Sequence, residues 1–139
     1  MAGLFFAFSV SVMSALAQMP ENEGMKAMQL INRTILNTIF LSAFFGTALA
    51  CLLIAIISAW QRPPNVGWSI AGACMQLVGG FMVTAFFNVP LNISLDNLSS
   101  DDPASHVEWT HYLKVWTRWN HLRTAACVLA CVLLAIGLL

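Results

Sequence analysis

The sequence predicts an all-α fold: one domain, residues 1–139, that forms an integral membrane four-helix bundle. Two observations predict it. Hydrophobic residues make up 59% of the chain and charged residues 9%, whereas soluble domains are about 25% charged. No charged residue lies between Arg33 and Arg62 or between Arg62 and Asp96, and each interval is longer than the roughly 20 apolar residues that cross a bilayer.

The first predicted helix covers residues 1–18, an uncharged apolar segment that is short for crossing a bilayer. A secretory signal peptide is the competing interpretation, because Ala15, Leu16 and Ala17 resemble a cleavage site. Signal peptides normally carry a cation ahead of the apolar segment, and none precedes it here. The pattern therefore favours a membrane helix.

Helix two is predicted as one continuous element from Met25 to about Trp60, after a turn at residues 19–24 that contains proline and glycine. Its apolar residues follow helical spacing at first and then occupy every face. Trp60 is typical of a membrane interface, and the prolines at positions 63 and 64 end the helix.

Helix three is predicted from near Trp68 to about Pro90, and helix four from about Ala104 to Leu139, with a polar loop over residues 95–105 between them. Helices two and four are expected to extend beyond the bilayer on the same side. On helix three, every fourth residue is small or polar: Gly72, Gln76, Gly80, Thr84 and Asn88. Such residues on one face predict a packing seam with a neighbouring helix.

The cations are distributed unevenly between the two sides of the predicted bundle. Five lie on the side of loops 1–2 and 3–4: Lys26, Arg33, Lys114, Arg118 and Arg123. Arg62 lies on the opposite side, so the positive-inside rule places loops 1–2 and 3–4 in the cytoplasm, and we expect a bacterial inner membrane. The formal net charge is zero, which gives no indication of a nucleic-acid partner.

Candidate functional residues gather where helix four enters the membrane. Ionisable groups at that depth are costly and tend to be paired or functional, which singles out His121 and Arg123 beside Asn120. A histidine titrates near neutral pH and is a candidate general base. A structural histidine and a snorkelling arginine are the alternatives. The facing asparagines and the tryptophan wall complete a predicted pocket for a flat, weakly polar molecule: Asn37, Asn88, Asn92, Trp116 and Trp119.

A metal or haem site is the rival interpretation of these residues. His106, His111 and His121 do not share a helical face, and no pair of histidines has the spacing of metal ligands on one helix. The sequence therefore predicts no metal and no other cofactor. Ligation of haem by a single histidine is left as an open alternative.

Four segments carry a resemblance to a known family. They are M-A-G-L-F-F-A-F-S at 1–9, A-M-Q-L-I-N-R at 27–33, N-V-P-L-N at 88–92 and W-T-R-W-N-H-L-R-T at 116–124. With these motifs the chain resembles the anthrone oxygenase-like membrane family. Members usually have more apolar residues ahead of the G-L-F-F run, so helix one here looks truncated.

The resemblance implies a membrane-embedded oxygenase. Some fungal members oxidise an anthrone to an anthraquinone with molecular oxygen and without a recognised cofactor. On that interpretation His121 is the base, the oxyanion is held by Asn88, Asn120 and Arg123, and the apolar slot and substrate contacts come from four further residues: Trp116, Trp119, Asn37 and Asn92. The implied partners are a hydrophobic aromatic substrate, molecular oxygen and membrane lipid.

Two alternatives do not require catalysis, so the sequence leaves open whether the protein is an enzyme. The first is a membrane protein, or a small transport subunit, that binds a lipid or quinone in the same pocket. The second is a scaffold component in which the small residues of the seam, Gly72 and Gly80, make a contact between subunits of a homo-oligomer.

Overall fold

The computed structural model describes all 139 residues and consists of five helices joined by short turns. The all-α prediction is confirmed, and the prediction of four helices is wrong. The helices are α1 (Ala2–Ala17), α2 (Glu21–Thr34), α3 (Thr38–Gln61), α4 (Val66–Asp96) and α5 (Ser105–Gly137).

The additional helix arises because the segment predicted as helix two is broken between α2 and α3. Asn37 adopts an extended conformation at the break. Its side-chain Oδ1 accepts from the Phe40 backbone N–H at 2.9 Å, and its Nδ2 donates to the Thr34 carbonyl at 3.0 Å. One side chain thus caps both helices, which stabilises the break. The apolar spacing on either side continues unchanged and gives no sign of it.

Three helices, α3, α4 and α5, are long and apolar enough to cross a membrane. Their outward faces carry large apolar side chains, such as Leu49 at 57% and Ile56 at 54% exposure on α3, which is the surface expected in contact with lipid. With 33 residues, α5 is about 50 Å long, more than the roughly 30 Å of a hydrocarbon core. The cytoplasmic side and the projection of two helices beyond the bilayer stay predictions.

The small residues of α4 pack against α5 of the same chain. A Cβ on Gly72 would lie 2.9 Å from the Leu134 backbone nitrogen, and one on Gly79 would overlap the Ala126 methyl. The seam predicted on this helix is therefore confirmed as a contact between two neighbouring helices. Two stretches of α4, Gln76–Met82 and Thr84–Asn88, are π-helical, a feature frequent at functional sites.

Helices α1 and α2 cover one end of the bundle. α1 runs antiparallel to the first half of α5, with the Ser9 and Thr124 hydroxyls 3.0 Å apart. α2 is tied to the end of α4 and the following loop by Gln29, which donates to the Leu95 and Leu98 carbonyls. Two ion pairs, Lys26–Asp101 and Arg33–Asp96, connect the same elements. At the start of α5, His106 Nδ1 lies 2.8 Å from the Glu21 carboxylate of α2.

The close contact between α4 and α5 predicts that Gly79→Ala lowers the free energy of unfolding by about 1–3 kcal/mol, because the new methyl overlaps Ala126. Gly46→Ala is the matched control, since nothing lies within 4 Å of a Cβ there. Loss of helical circular dichroism on heating in detergent measures both. Equal melting temperatures for the two variants would contradict the proposed contact.

Candidate functional site

A cavity of about 240 Å³ lies where α1, α2, α4 and α5 meet the first turn of α3. Its walls are mainly apolar, and Phe5 and Phe8 of α1 form one side. The break between α2 and α3 forms another, because Ile35, Leu36 and Phe40 line the cavity there. The break that the sequence pattern hides is thus part of the cavity wall.

Arg123 of α5 lies at the inner end of this cavity and is 4% exposed. Its guanidinium donates to the Thr84 hydroxyl at 3.0 Å and to Asn120 Oδ1 at 2.6 Å. The guanidinium carbon lies 4.2 Å from the centre of the Phe5 ring and 5.2 Å from that of Trp116. Two neutral oxygens and two aromatic faces therefore surround the cation.

No carboxylate neutralises Arg123. The ion pairs of the chain involve other cations, and the Arg123 Nε–H is buried without a hydrogen-bond acceptor. A buried charge without an opposite charge is costly, and inside a membrane such a group marks a functional site by default. The inner end of the cavity is therefore suited to an anion, or to an oxygen atom on which negative charge develops.

Asn120 holds the guanidinium in place and is fully buried. Its Oδ1 accepts from Arg123, while its Nδ2 donates to the Phe5 carbonyl and to the Ser9 hydroxyl, both at 2.8 Å. The same amide therefore connects α1 to α5 and fixes Arg123 between them. Because every polar atom of Asn120 has a partner, it positions Arg123 rather than binding a ligand directly.

The wall between the inner end and the mouth carries a second polar group. Asn92 of α4 accepts at Oδ1 from the Tyr112 hydroxyl at 2.8 Å and from the Trp116 indole N–H at 2.7 Å. Asn32 of α2 donates from Nδ2 to the Tyr112 oxygen at 3.4 Å. At the mouth, the Arg33–Asp96 ion pair is largely exposed, where solvent screens it.

Four of the predicted site residues line the cavity: Arg123, Asn120, Trp116 and Asn92. The structure brings these together from α4 and α5, as the helical spacing of positions 116, 120 and 123 predicts. Their predicted roles toward a substrate stay predictions.

Three other predicted residues lie away from the cavity wall. Asn88 is fully buried behind it and donates to the Trp116 carbonyl at 3.3 Å, with its own Oδ1 unpartnered. Trp119 stacks on Phe87 with ring centres 3.8 Å apart, on another face of α5. Asn37 caps the helix break. The expectation that these side chains meet in one pocket is wrong.

The expectation that the imidazole of His121 joins this pocket is also wrong. His121 is exposed and does not line the cavity. On an α-helix it lies about 100° from Asn120 and about 160° from Arg123, so the burial of those two residues turns the imidazole outward. The geometry gives no support to His121 as the catalytic base.

Sequence reasoning missed several residues of the site. Phe5 and Ser9 come from α1, whose pairing with α5 has no sequence signal. Asn32 lines the cavity, and Tyr112 is buried behind the wall, where it bonds to Asn32 and Asn92. For Asn32 a signal did exist, because it lies one helical turn after Met28 on the inward face of α2. Thr84 belongs to the predicted seam, which could have indicated its contact with the last helix.

Comparison with known proteins gives one match. A family model described as anthrone oxygenase matches residues 34–133, which include α3, α4 and most of α5 and thus Arg123, Asn120, Trp116 and Asn92. No curated protein and no solved structure matches the chain.

The capping role of Asn37 predicts that Asn37→Ala lowers the free energy of unfolding by about 1 kcal/mol and leaves ligand binding in the cavity unchanged. Asn22→Ala is the control, because the Asn22 side chain caps no helix and lies outside the cavity. Chemical unfolding in mixed micelles measures stability, and quenching of tryptophan fluorescence measures binding of an aromatic ligand. A loss of binding without a loss of stability would contradict the capping role and would support a contact between Asn37 and the ligand.

Proposed function

The chain belongs to the anthrone oxygenase family, and from this premise we propose that it is a membrane oxygenase. It oxidises a flat, hydrophobic, anthrone-like substrate with molecular oxygen in the cavity beside Arg123. The observation that carries the proposal is the buried guanidinium without a carboxylate partner.

The size and lining of the cavity support an aromatic substrate. At about 240 Å³ its volume is slightly below the roughly 300–1,000 Å³ of ligand pockets, which suits a small rigid molecule. Phe8 and Trp116, with ring centres 5.6 Å apart, supply flat apolar surface. The apolar walls exclude water and so strengthen the electrostatic interactions inside.

The reaction needs an anion of the substrate. An anthrone carries acidic C–H bonds opposite its carbonyl, and loss of one proton places negative charge on the carbonyl oxygen and the opposite carbon. This anion passes one electron to O₂, and the resulting pair of substrate radical and superoxide combines to a peroxide anion. The peroxide anion takes up one proton, which replaces the proton lost in the first step, and becomes a hydroperoxide. Loss of water then leaves a second carbonyl, so one oxygen atom enters the product and the other becomes water.

Arg123 has the charge and the position to stabilise that anion. A fixed cation in a water-excluded site favours the charged transition state over the neutral substrate. Neither an imidazole nor a carboxylate contacts the guanidinium, so in this proposal the proton leaves to the solvent at the mouth of the cavity, beside Arg33 and Asp96, and Arg123 lowers the pKa of the bound substrate. The scheme uses no cofactor.

The proposal predicts oxygen uptake by purified protein with an anthrone, faster than the uncatalysed background. Arg123→Gln is expected to lower kcat/KM about 100- to 1,000-fold, since it removes the charge opposite the oxyanion. Arg118→Gln is the matched control, because Arg118 is exposed on the same helix. An oxygen electrode measures the rate, and circular dichroism checks that each variant is folded.

Two outcomes would contradict this proposal: wild-type protein no faster than background, or full activity in Arg123→Gln. His121→Ala is expected to retain the wild-type rate, and its inactivity would restore the imidazole as base. Binding of the aromatic ligand without oxygen uptake would favour the non-catalytic alternative, a protein that binds a quinone or lipid.

A further inference from the structure

The polar wall of the cavity has a fixed hydrogen-bond direction. An indole nitrogen only donates, so the atom of Asn92 that receives the Trp116 N–H is the amide oxygen. The same oxygen receives the Tyr112 hydroxyl proton, which leaves the Tyr112 oxygen free to accept from Asn32 Nδ2. One indole thereby sets the orientation of two amides and the hydroxyl between them.

This arrangement leaves two polar atoms without partners on the cavity wall. Asn92 Nδ2 has no acceptor and Asn32 Oδ1 has no donor within the chain, and neither atom is fully buried. Both residues are half-buried and line the cavity. A half-buried amide group without a partner is costly unless water or a ligand satisfies it.

The two free atoms have opposite hydrogen-bonding character, because Asn92 Nδ2 donates and Asn32 Oδ1 accepts. On one side of the amide pair, the Tyr112 hydroxyl accepts from Asn32 and donates to Asn92. A second hydroxyl on the other side would accept from Asn92 Nδ2 and donate to Asn32 Oδ1. The two amides lie near each other, because the Tyr112 oxygen is 2.8 Å from Asn92 Oδ1 and 3.4 Å from Asn32 Nδ2.

We propose that Asn32 and Asn92 form a specificity site that binds an aromatic hydroxyl of the substrate, with Tyr112 as the positioning residue. The site rests on the proposed function, since the hydroxyl belongs to the molecule whose anion faces Arg123. The Trp116 indole lies between the hydroxyl site and Arg123, because its N–H edge contacts Asn92 and its face lies beside the guanidinium. A substrate of two or three fused rings spans an indole, so both ends act on one molecule.

Two unreactive ligands test this site: anthraquinone and 2-hydroxyanthraquinone, which differ by one hydroxyl. Quenching of tryptophan fluorescence gives the Kd of each with the full chain in detergent. The wild-type protein is expected to bind the hydroxylated ligand about tenfold more tightly, the size of effect of hydrogen bonds otherwise left unmade.

Two variants remove the preference by different routes. Asn92→Asp keeps the oxygen that accepts from Trp116 and Tyr112 and replaces the free donor with an acceptor. Tyr112→Phe removes the hydroxyl that orients both amides and leaves the ring in place. In each, the ratio of the two Kd values is expected to fall to within about twofold of one. Asn97→Asp, an equal charge change on the same cavity wall, is expected to keep the wild-type ratio.

A wild-type ratio near one, or a wild-type ratio in both Asn92→Asp and Tyr112→Phe, would overturn the hydroxyl site. The measurement requires no turnover, so it is separate from the oxygenase proposal. Preference for the hydroxylated ligand without oxygen uptake would support the hydroxyl site and contradict the oxygenase. Oxygen uptake together with a wild-type Kd ratio in both variants would support the oxygenase and contradict the hydroxyl site.

Discussion

The rest of the site depends on one constraint, a guanidinium buried among apolar helices without a carboxylate. Such a charge needs neutral partners from every side. Thr84 of α4 and Asn120 of α5 each accept one hydrogen bond from Arg123, and Phe5 of α1 covers the cation with its ring. These contacts bring three helices to one point. The side of the guanidinium that faces the cavity has no such partner, and an anionic group of a bound ligand would neutralise the cation there.

The cavity exists because two elements depart from a regular bundle. The break at Asn37 ends α2 and redirects the chain into α3, so that the ends of both helices form a wall. α1 pairs with α5 through the Asn120 amide and supplies the opposite wall. Between them, Trp116 connects the inner cationic end to the Asn92 amide. Charge at one end and a fixed donor–acceptor pair along the wall give a ligand a defined orientation.

Helical spacing was enough to predict part of this site. Trp116, Asn120 and Arg123 share one face of the last helix, and the seam on α4 identifies the face that packs on it. The prediction that placed His121 in the pocket considered the chemistry of the imidazole and not its position on the helix. That position turns the side chain away from the cavity. The helical spacing of Met28, Ile31, Ile35 and Ile39 continues through the break at Asn37, so periodicity gives no sign of the break. Contacts that join distant segments, such as Ser9 with Asn120, have no local signal.

The central claim is that Arg123 favours the anionic form of the bound substrate, and the most direct test is spectroscopic. An anthrone mixed with the protein in the absence of oxygen cannot be oxidised, so its ionisation state is read from its absorption spectrum. The account predicts the spectrum of the anion at a pH where the free compound is neutral. The spectrum of the neutral compound, in protein that has bound it, would contradict the account.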